Sequence, residues 1–268
     1  MTTRLMSLGT RLARRAALLA AASALAAGCS GTPPGAFVII QNQVPNSDCS
    51  IPAGLGNVYR GEGVLDVRLI SQQKSGYELF PVMQNNFPAP GGGQTVDANR
   101  IALSGFNVDI EVDEGATGEI ADLINADRAA DPSSADYQKV HYGTFTSGSV
   151  ASGGGFTSSA VEAFPVDLAS DVLSKHVLSQ TQTSWVFASV RSLGKTLSGD
   201  VTSDSFRYPI QLCDGCLMDN LGPCPVAASA GNQCYMGQDS STGCCTQNGQ
   251  FFCPATVAPM AAAPAATP

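Results

Sequence analysis

The sequence predicts a mainly β protein: an antiparallel β-sandwich of immunoglobulin-like architecture, with one or two short crossover helices and a small disulfide-rich lobe at the C-terminus. Apolar residues occur in short blocks separated by Gly, Ser, Thr, Asn and Pro, which is typical of strands joined by turns. About seven such blocks lie between residues 64 and 212, and seven cysteines follow between Cys213 and Cys253. No cysteine lies between Cys49 and Cys213, so the Cys and Trp spacing of antibody domains is absent and only the general architecture is predicted.

The first strands are predicted from local patterns near the N-terminus. Residues 36–41 are apolar and lie between Pro-rich breakers, which indicates one strand within a tether. Residues 64–72 alternate apolar and charged side chains, and residues 77–84 follow a Ser75-Gly76 turn, so the two segments are predicted to pair as a hairpin. Pro81 indicates an edge or a bulge, because proline has no N–H to donate to a ladder.

The clearest strand is predicted at residues 99–112. Phe106, Val108 and Ile110 alternate with polar residues, as in a strand with one face in the core and one in water. Gly105 interrupts this alternation and indicates a bulge.

Two short helices and several further strands complete the predicted domain. Residues 117–130 and 167–178 have apolar side chains at helical spacing, and Asp171 and Lys175 have the spacing of an i,i+4 ion pair. The remaining strands are predicted at residues 140–146, 156–168, 183–193 and 200–212. Trp185, Phe187 and Val190 are predicted to lie in the core rather than to form a ligand platform.

The chain is predicted to divide into five parts. They are a signal peptide at 1–28, a lipidated tether at 29–56, a β-sandwich domain at 57–212, a disulfide-rich lobe at 213–253 and a disordered Ala/Pro tail at 254–268. The lobe has few apolar residues, so it needs covalent cross-links to hold a shape.

Residues 1–28 have the layout of an export signal. Four arginines precede an apolar run at residues 16–27, which is shorter than the roughly 20 residues that a helix needs to span a bilayer. The run ends in Leu25-Ala26-Ala27-Gly28-Cys29, which resembles the lipobox of bacterial lipoproteins. This resemblance implies that Cys29 is acylated and becomes the mature N-terminus, and Ser30 implies sorting to the outer membrane. The alternative is a plain secretory signal cleaved in the same run of small residues.

The whole chain resembles the Ala- and Gly-rich lipoproteins of Gram-negative bacteria that combine a signal, a β-domain and a Cys-rich end. The specific part of this resemblance covers residues 1–30. It implies a palmitate-bearing protein of the cell envelope, held in the outer membrane by its lipid and facing either the periplasm or the cell surface.

The charge of the mature chain excludes one class of partner. Residues 1–28 hold four of the 14 basic residues and none of the 22 acidic ones, so the rest of the chain has 10 basic residues and a formal charge of −12. Nucleic-acid binding depends on Lys and Arg neutralising phosphates, so no nucleic-acid partner is expected.

Eight cysteines remain beside Cys29, and an even number outside the cytoplasm predicts four disulfides. They are Cys49, Cys213, Cys216, Cys224, Cys234, Cys244, Cys245 and Cys253. Seven of them lie in the C-terminal cluster, and an odd set cannot pair internally, so Cys49 must bond to one of these seven. Closing so long a loop contributes on the order of 4–5 kcal/mol in the chain-entropy model. The neighbours Cys244 and Cys245 are expected to take different partners.

Several motifs known from reactive sites occur in the sequence, but none is predicted to form such a site here. Cys213-Asp214-Gly215-Cys216 lacks the histidine of a haem site, and a structural disulfide is preferred to a redox pair or a zinc site. The Ser-x-x-Lys matches at residues 71–74 and 192–195 lack their companion motif. His141 and His176, the two histidines, lie beside no nucleophile motif.

Two further patterns have plain structural explanations. Asp109, Glu111 and Asp113 alternate on one strand face, which fits a solvated face better than a calcium site. The glycine runs at 91–93 and 153–155 are expected to be connectors, since neither opens a helix as a phosphate cradle would.

The sequence therefore predicts a function that does not depend on catalysis. No catalytic, metal or cofactor residues are predicted, and the protein is not expected to be an enzyme. The leading hypothesis is a non-catalytic outer-membrane lipoprotein that binds another envelope protein as a structural or assembly component. The alternative is a module that binds a glycan or small ligand, which requires aromatic side chains grouped on one exposed face.

Overall fold

The computed structural model describes residues 32–52, 54–56, 58–70, 76–92, 96–175, 177–178, 182–224 and 234–253. They lie almost entirely within Pro34–Pro268, a unit that separates from Met1–Pro33. The described chain is mainly β, as predicted, with curled antiparallel sheets. Its strands are β1 Phe37–Gln43, β2 Tyr59–Arg60, β3 Gly63–Asp66, β4 Tyr77–Leu79, β5 Pro81–Asn85, β6 Ile101–Glu111, β7 His141–Val150, β8 Gly155–Ser158, β9 Val161–Phe164, β10 Thr183–Thr196, β11 Gly199–Thr202, β12 Phe206–Cys213, β13 Met218–Pro223, β14 Thr242–Gln247 and β15 Gln250–Phe252. Its helices are α1 Val67–Ile70, α2 Glu119–Arg128, α3 Ala135–Val140 and α4 Val166–Ser174.

Two larger sheets hold the core. One has the strand order β2-β1-β5-β8, and the other has the order β3-β12-β10-β6-β7, with β11 paired to β10. Their neighbours pair antiparallel except β3 and β12, which are parallel. Phe37 and Met83 of the first sheet and Phe106 of the second belong to one buried apolar cluster. Two smaller sheets, β4-β9 and β13-β14-β15, lie outside these two.

The strand predicted at residues 99–112 is confirmed as β6. Phe106, Val108 and Ile110 are buried on one face, as the alternation predicts. The ladders from β6 to both β7 and β10 shift register beside Gly105, so the predicted bulge is present as well. A side chain at Gly105 would overlap the carbonyl oxygen of Thr144 on β7, which explains why glycine stands there.

The strand predicted at residues 64–72 is wrong at residues 67–70, because α1 follows Asp66 directly, and residues 71–72 lie outside the described residues. Asp66 caps this helix: its Oδ1 accepts the N–H of Arg68 at 3.0 Å. It also accepts the N–H groups of Gly215 and Leu217, each at 2.9 Å, from far along the chain. The helix thus replaces the predicted strand because a buried carboxylate offers its backbone a cap.

The predicted hairpin between residues 64–72 and 77–84 does not form. β3 pairs with β12, β4 pairs with β9, and β5 lies between β1 and β8. The interruption falls at Phe80, between β4 and β5, so Pro81 begins a new strand inside its sheet and not an edge strand. A bulge does occur beside it, because the β1–β5 ladder shifts register between Ile39 and Gln41, opposite Met83 and Val82.

The helices at residues 117–130 and 167–178 are confirmed as α2 and α4. Lys175 Nζ lies 3.6 Å from the carboxylate of Asp171, as the i,i+4 spacing predicts. Helix α3 was not predicted. It begins after Ser134, whose hydroxyl accepts the N–H of Tyr137 at 3.1 Å, an N-cap of ordinary type.

The Cys-rich segment is cross-linked internally and to the N-terminal part of the chain. Cys49 bonds to Cys234, as the parity argument predicts. Cys244 and Cys245 take different partners, and the Cys213-x-x-Cys216 pair closes on itself. The four disulfides are Cys49–Cys234, Cys213–Cys216, Cys224–Cys245 and Cys244–Cys253.

The segment after Cys234 also completes the free side of β3. The N–H of Asp66 donates to the Gly237 carbonyl at 2.8 Å, and the N–H of Asp239 donates to the Val64 carbonyl at 2.9 Å. The Asp239 carboxylate in turn accepts the Val64 N–H at 2.8 Å and the Tyr77 hydroxyl at 2.9 Å. The C-terminal segment therefore forms part of the edge of the two larger sheets, which together are called the β-body below.

Candidate binding face

The longest strand, β10, has one face in the core and one face outward. Its even-numbered residues from Val186 to Val190 are fully buried, and the alternate residues Trp185, Phe187 and Ser189 point to the other side. Trp185 is 41% exposed, so the prediction that it lies in the core is wrong. Phe187 is half-buried on the same outward side, and only Val190 lies in the core as predicted. The parity of the strand, rather than the apolarity of each residue, decides these positions.

Arg207 of β12 lies over the aromatic ring of Phe187. Its guanidinium carbon is 3.5 Å from the ring centroid, within cation–π range. Its Nε is 3.1 Å from Glu111, and its Nη2 donates to Asp113 at 2.8 Å. These carboxylates, Asp113 first, raise the pKa of Arg207 above its ordinary value. Arg207 is thus held by three groups at once, although its side chain reaches solvent.

The surface formed by Trp185, Phe187, Ser189, Glu111 and Arg207 is called the outer face below. Cross-strand register brings these residues together: Phe187 lies opposite Glu111 of β6, and Ser189 lies opposite Arg207 of β12. The Ser189 hydroxyl donates to Glu111 at 2.7 Å. The outer face is therefore an aromatic surface on rigid strands whose polar groups are bonded to one another.

A second cluster continues the same side of the sheet toward β7. His141 Nδ1 is 2.6 Å from the Asp109 carboxylate, and the Tyr137 ring of α3 packs at a tilt against the His141 ring, 4.3 Å between centroids. The acidic row Asp109, Glu111 and Asp113 thus meets His141 and Arg207. Because each carboxylate has a partner within the protein, the row has the character of a paired outer surface and not of a calcium loop.

Among the described residues, the serine and lysine of the Ser-x-x-Lys match at 192–195 and His141 do not form a catalytic arrangement. Ser192 is buried and its hydroxyl donates to Met83 Sδ at 3.2 Å, whereas Lys195 is exposed and 3.3 Å from Asp200. His141 lies on the outward side of the sheet and Ser192 on the inward side. The Ser-x-x-Lys match at residues 71–74 and His176 lie outside the described residues, as do Cys29 and residues 254–268.

Sequence reasoning missed a pair of facing carboxylates, Glu78 on β4 and Glu162 on β9, which are cross-strand partners. Burial, and then the charge of Glu162, raise the pKa of Glu78 to about 7. Glu162 accepts the N–H groups of Gly76 at 3.0 Å and Val166 at 3.3 Å. A charged residue inside the apolar run 77–83 could have indicated that Glu78 is buried. Its partner Glu162 could not be inferred, because it lies on a distant strand.

One group of possible metal ligands occurs in the described residues, Asp66 with Cys213 and Cys216. Both sulfurs are in the disulfide of that pair, and Asp66 is occupied by backbone N–H donors. This cluster is therefore a structural joint between α1 and the Cys-rich segment.

Comparisons of the chain with models of protein families, with curated proteins and with solved structures returned no match. Within the described part of the chain, no helix combines the length and the apolarity that crossing a bilayer requires.

Proposed function

We propose that this protein is an outer-membrane lipoprotein with a non-catalytic role, which binds another envelope protein through its outer face. The observation that supports this most is the exposure of Trp185, the single tryptophan of the chain, beside Phe187 and Arg207. Tryptophan, tyrosine and arginine are the residues most enriched at the energetic centres of protein interfaces. An aromatic side chain on a rigid strand loses little conformational entropy when it is covered by a partner.

The paired polar groups favour a protein partner over a sugar. A glycan site needs polar side chains that are free to bond hydroxyl groups, next to an open aromatic ring. On the outer face, Arg207 is engaged by Phe187, Glu111 and Asp113, and Ser189 is engaged by Glu111. Such a surface can be covered without leaving polar groups unpaired, which suits a protein surface of complementary shape.

The alternative is a glycan or small-ligand module, and one observation favours it. Trp185 and Phe187 lie two residues apart on one outward strand face, which is the grouping of aromatics that this hypothesis requires. In this case the Trp185 ring would be the platform, because Phe187 already has Arg207 over it.

The proposed membrane anchor is a lipid on Cys29, and the disulfides of the other cysteines support a place outside the cytoplasm. All eight cysteines after Cys29 are in disulfides, which form and persist outside the cytoplasm. Two or three acyl chains on Cys29 would hold the body at the outer membrane. Replacing Cys29 by Ala is expected to abolish labelling by radioactive palmitate and to release the protein from the membrane fraction.

The packing of the two larger sheets on each other supports a more specific fold. The two larger sheets share one apolar core, and the Ser192 hydroxyl of one reaches Met83 of the other. We therefore propose a β-sandwich of immunoglobulin-like architecture, which would present the outer face on the solvent side of one layer.

The test is in-cell crosslinking followed by affinity purification from solubilised envelope, with three forms of the protein. They are the wild type, Trp185→Ala and the control Phe252→Ala, which removes an exposed aromatic from β15. We expect one partner in fixed ratio from the wild type and from the control, and a loss of roughly ten-fold or more with Trp185→Ala.

Two outcomes would contradict the proposal. Equal recovery of the partner with Trp185→Ala would place the interface elsewhere. A lone monomer in all three forms would contradict the protein-partner hypothesis, and glycan binding that is lost with Trp185→Ala would then establish the alternative.

A further inference from the structure

The chain from Cys29 enters the β-body at one end, which is fixed by hydrogen bonds. The Gly35 N–H donates to the Asp204 carboxylate at 2.9 Å, and the Asn86 side chain donates to the Gly35 carbonyl at 2.9 Å. The Asn86 N–H donates to the Ala36 carbonyl at 2.8 Å. Gly35 lies six positions after Cys29, and an extended chain of that length spans at most about 20 Å.

The same end of the body gathers several connections, and it is called the tether end below. Asn85, where β5 ends, is fully buried and its amide donates to the carbonyls of Asn99 at 2.8 Å and Val150 at 3.0 Å. It lies opposite Phe37 at the start of β1. Thus β1 and β6 begin at the tether end, and β5 and β7 end there.

Two apolar side chains project from the tether end. Leu197, in the turn between β10 and β11, is 75% exposed, and Val96, before β6, is 61% exposed. Their loops are joined, because the Leu197 N–H donates to the Ala98 carbonyl at 3.2 Å. Apolar side chains at a loop tip are costly in water and favourable in a lipid interface.

The charges at the tether end are nearly balanced. Arg100 lies 3.8 Å from Asp97, and Lys195 lies 3.3 Å from Asp200. Asp204 accepts the backbone N–H of the tether. The mature chain as a whole is strongly acidic, but the near balance of charge at this end lets it approach anionic lipid headgroups with little repulsion.

We infer that the tether end rests on the bilayer, with Leu197 and Val96 in the headgroup region, and that the outer face near Trp185 points away from it. This inference rests on the proposed lipid anchor at Cys29. From Thr196 to Trp185, β10 extends roughly 35 Å at 3.3 Å per residue, so Trp185 lies well beyond the interface. The two apolar side chains are too few to hold a protein on a membrane by themselves. They orient a body that the lipid already holds close.

The test uses the single tryptophan as a depth probe. Full-length lipidated protein is reconstituted in vesicles of phosphatidylethanolamine and phosphatidylglycerol, with and without bromine on the acyl chains. The probe variant is Leu197→Trp in a Trp185→Phe background. The matched control is Leu221→Trp in the same background, because Leu221 is an exposed leucine of β13 in the Cys-rich segment. Wild-type protein supplies Trp185 as a second control.

We expect brominated lipid to quench the Leu197→Trp emission at least about two-fold and to leave both controls unchanged, since an interfacial side chain lies within the headgroup boundary. Val96→Trp in the same background is expected to behave like Leu197→Trp, which guards against a local misfold of one variant. Equal quenching of Leu197→Trp and Leu221→Trp, in protein that floats with the vesicles, would overturn the inference and leave the anchor intact. Protein that does not float would overturn the proposed anchor, and the inference with it.

Discussion

Replacing Glu78 by Gln is expected to remove much of the pH dependence of stability between pH 5 and pH 7. Burial and the facing Glu162 raise the pKa of Glu78 from its ordinary value of 4.5 to about 7. Between these two values the folded protein holds a proton that the unfolded chain has released. The contribution of Glu78 to the free energy of unfolding is therefore largest below pH 4.5 and falls as the pH rises toward 7.

The magnitude follows from the width of that window. At 1.36 kcal/mol for each pH unit, a pKa raised from 4.5 to about 7 corresponds to roughly 3 kcal/mol of stability lost by pH 8. Glu78 is not fully enclosed, so solvent screening reduces this, and we expect a loss of about 2–3 kcal/mol. A neutral amide resembles the protonated acid, so Glu78→Gln is expected to be the more stable protein at pH 8 and close to wild type at pH 4.5.

The assay is urea denaturation followed by circular dichroism at half-unit steps from pH 4.5 to pH 8. Burial raises the pKa values of Asp66 and Asp239. Hydrogen bonds from serine side chains lower the pKa values of Asp48, Asp97 and Asp131, so wild type and variant share a background pH dependence from these groups. The difference between the two curves isolates Glu78. Glu114→Gln, at an exposed position, is the matched control and is expected to track wild type. Parallel curves for wild type and Glu78→Gln would refute the reasoning.

Three further sets of substitutions test other contacts that stabilise the fold. Asp66→Ala removes the acceptor of four backbone N–H groups and should lower the free energy of unfolding by at least about 3 kcal/mol, with Asp66→Asn losing less, as measured by urea denaturation. Replacing Cys49 and Cys234 together by Ser opens a loop of 185 residues and should cost about 5 kcal/mol in the chain-entropy model, seen as a fall in Tm. Gly105→Ala meets a backbone carbonyl and should lower Tm, whereas Gly61→Ala, with open space around it, should leave Tm unchanged; equal effects would contradict the packing at the bulge.

Local periodicity predicted the elements whose environment is itself regular. Strand β6 alternates because one of its faces lies in the core along its whole length, so Phe106, Val108 and Ile110 were assigned correctly. The segment after β3 shows a similar alternation, but there the cap at Asp66 decides the structure. Two of the donors that hold Asp66, Gly215 and Leu217, come from about 150 positions later and leave no local signal.

The candidate binding face was missed for a related reason. Apolar residues occur at both odd and even positions of β10, so apolarity alone wrongly placed Trp185 in the core instead of Val186. The regular series Val186, Ala188 and Val190 was the better guide, since small and β-branched side chains fill the tight space between sheets. Arg207 gave no signal, because its partners Phe187 and Glu111 reach it only through cross-strand register.

The hydrogen bonds between β3 and the segment around Asp239 set the order in which this protein can mature. Val64 and Asp239 are 175 positions apart, and a chain is synthesised from its N-terminus. The edge of the β-body therefore stays open until those late residues have been made. During that interval the nascent chain exposes apolar strands and the unpaired thiol of Cys49, and it needs protection from aggregation and from mispairing with the wrong cysteine. A copy truncated before Cys234 would leave both this edge and the Cys49 thiol without their partners.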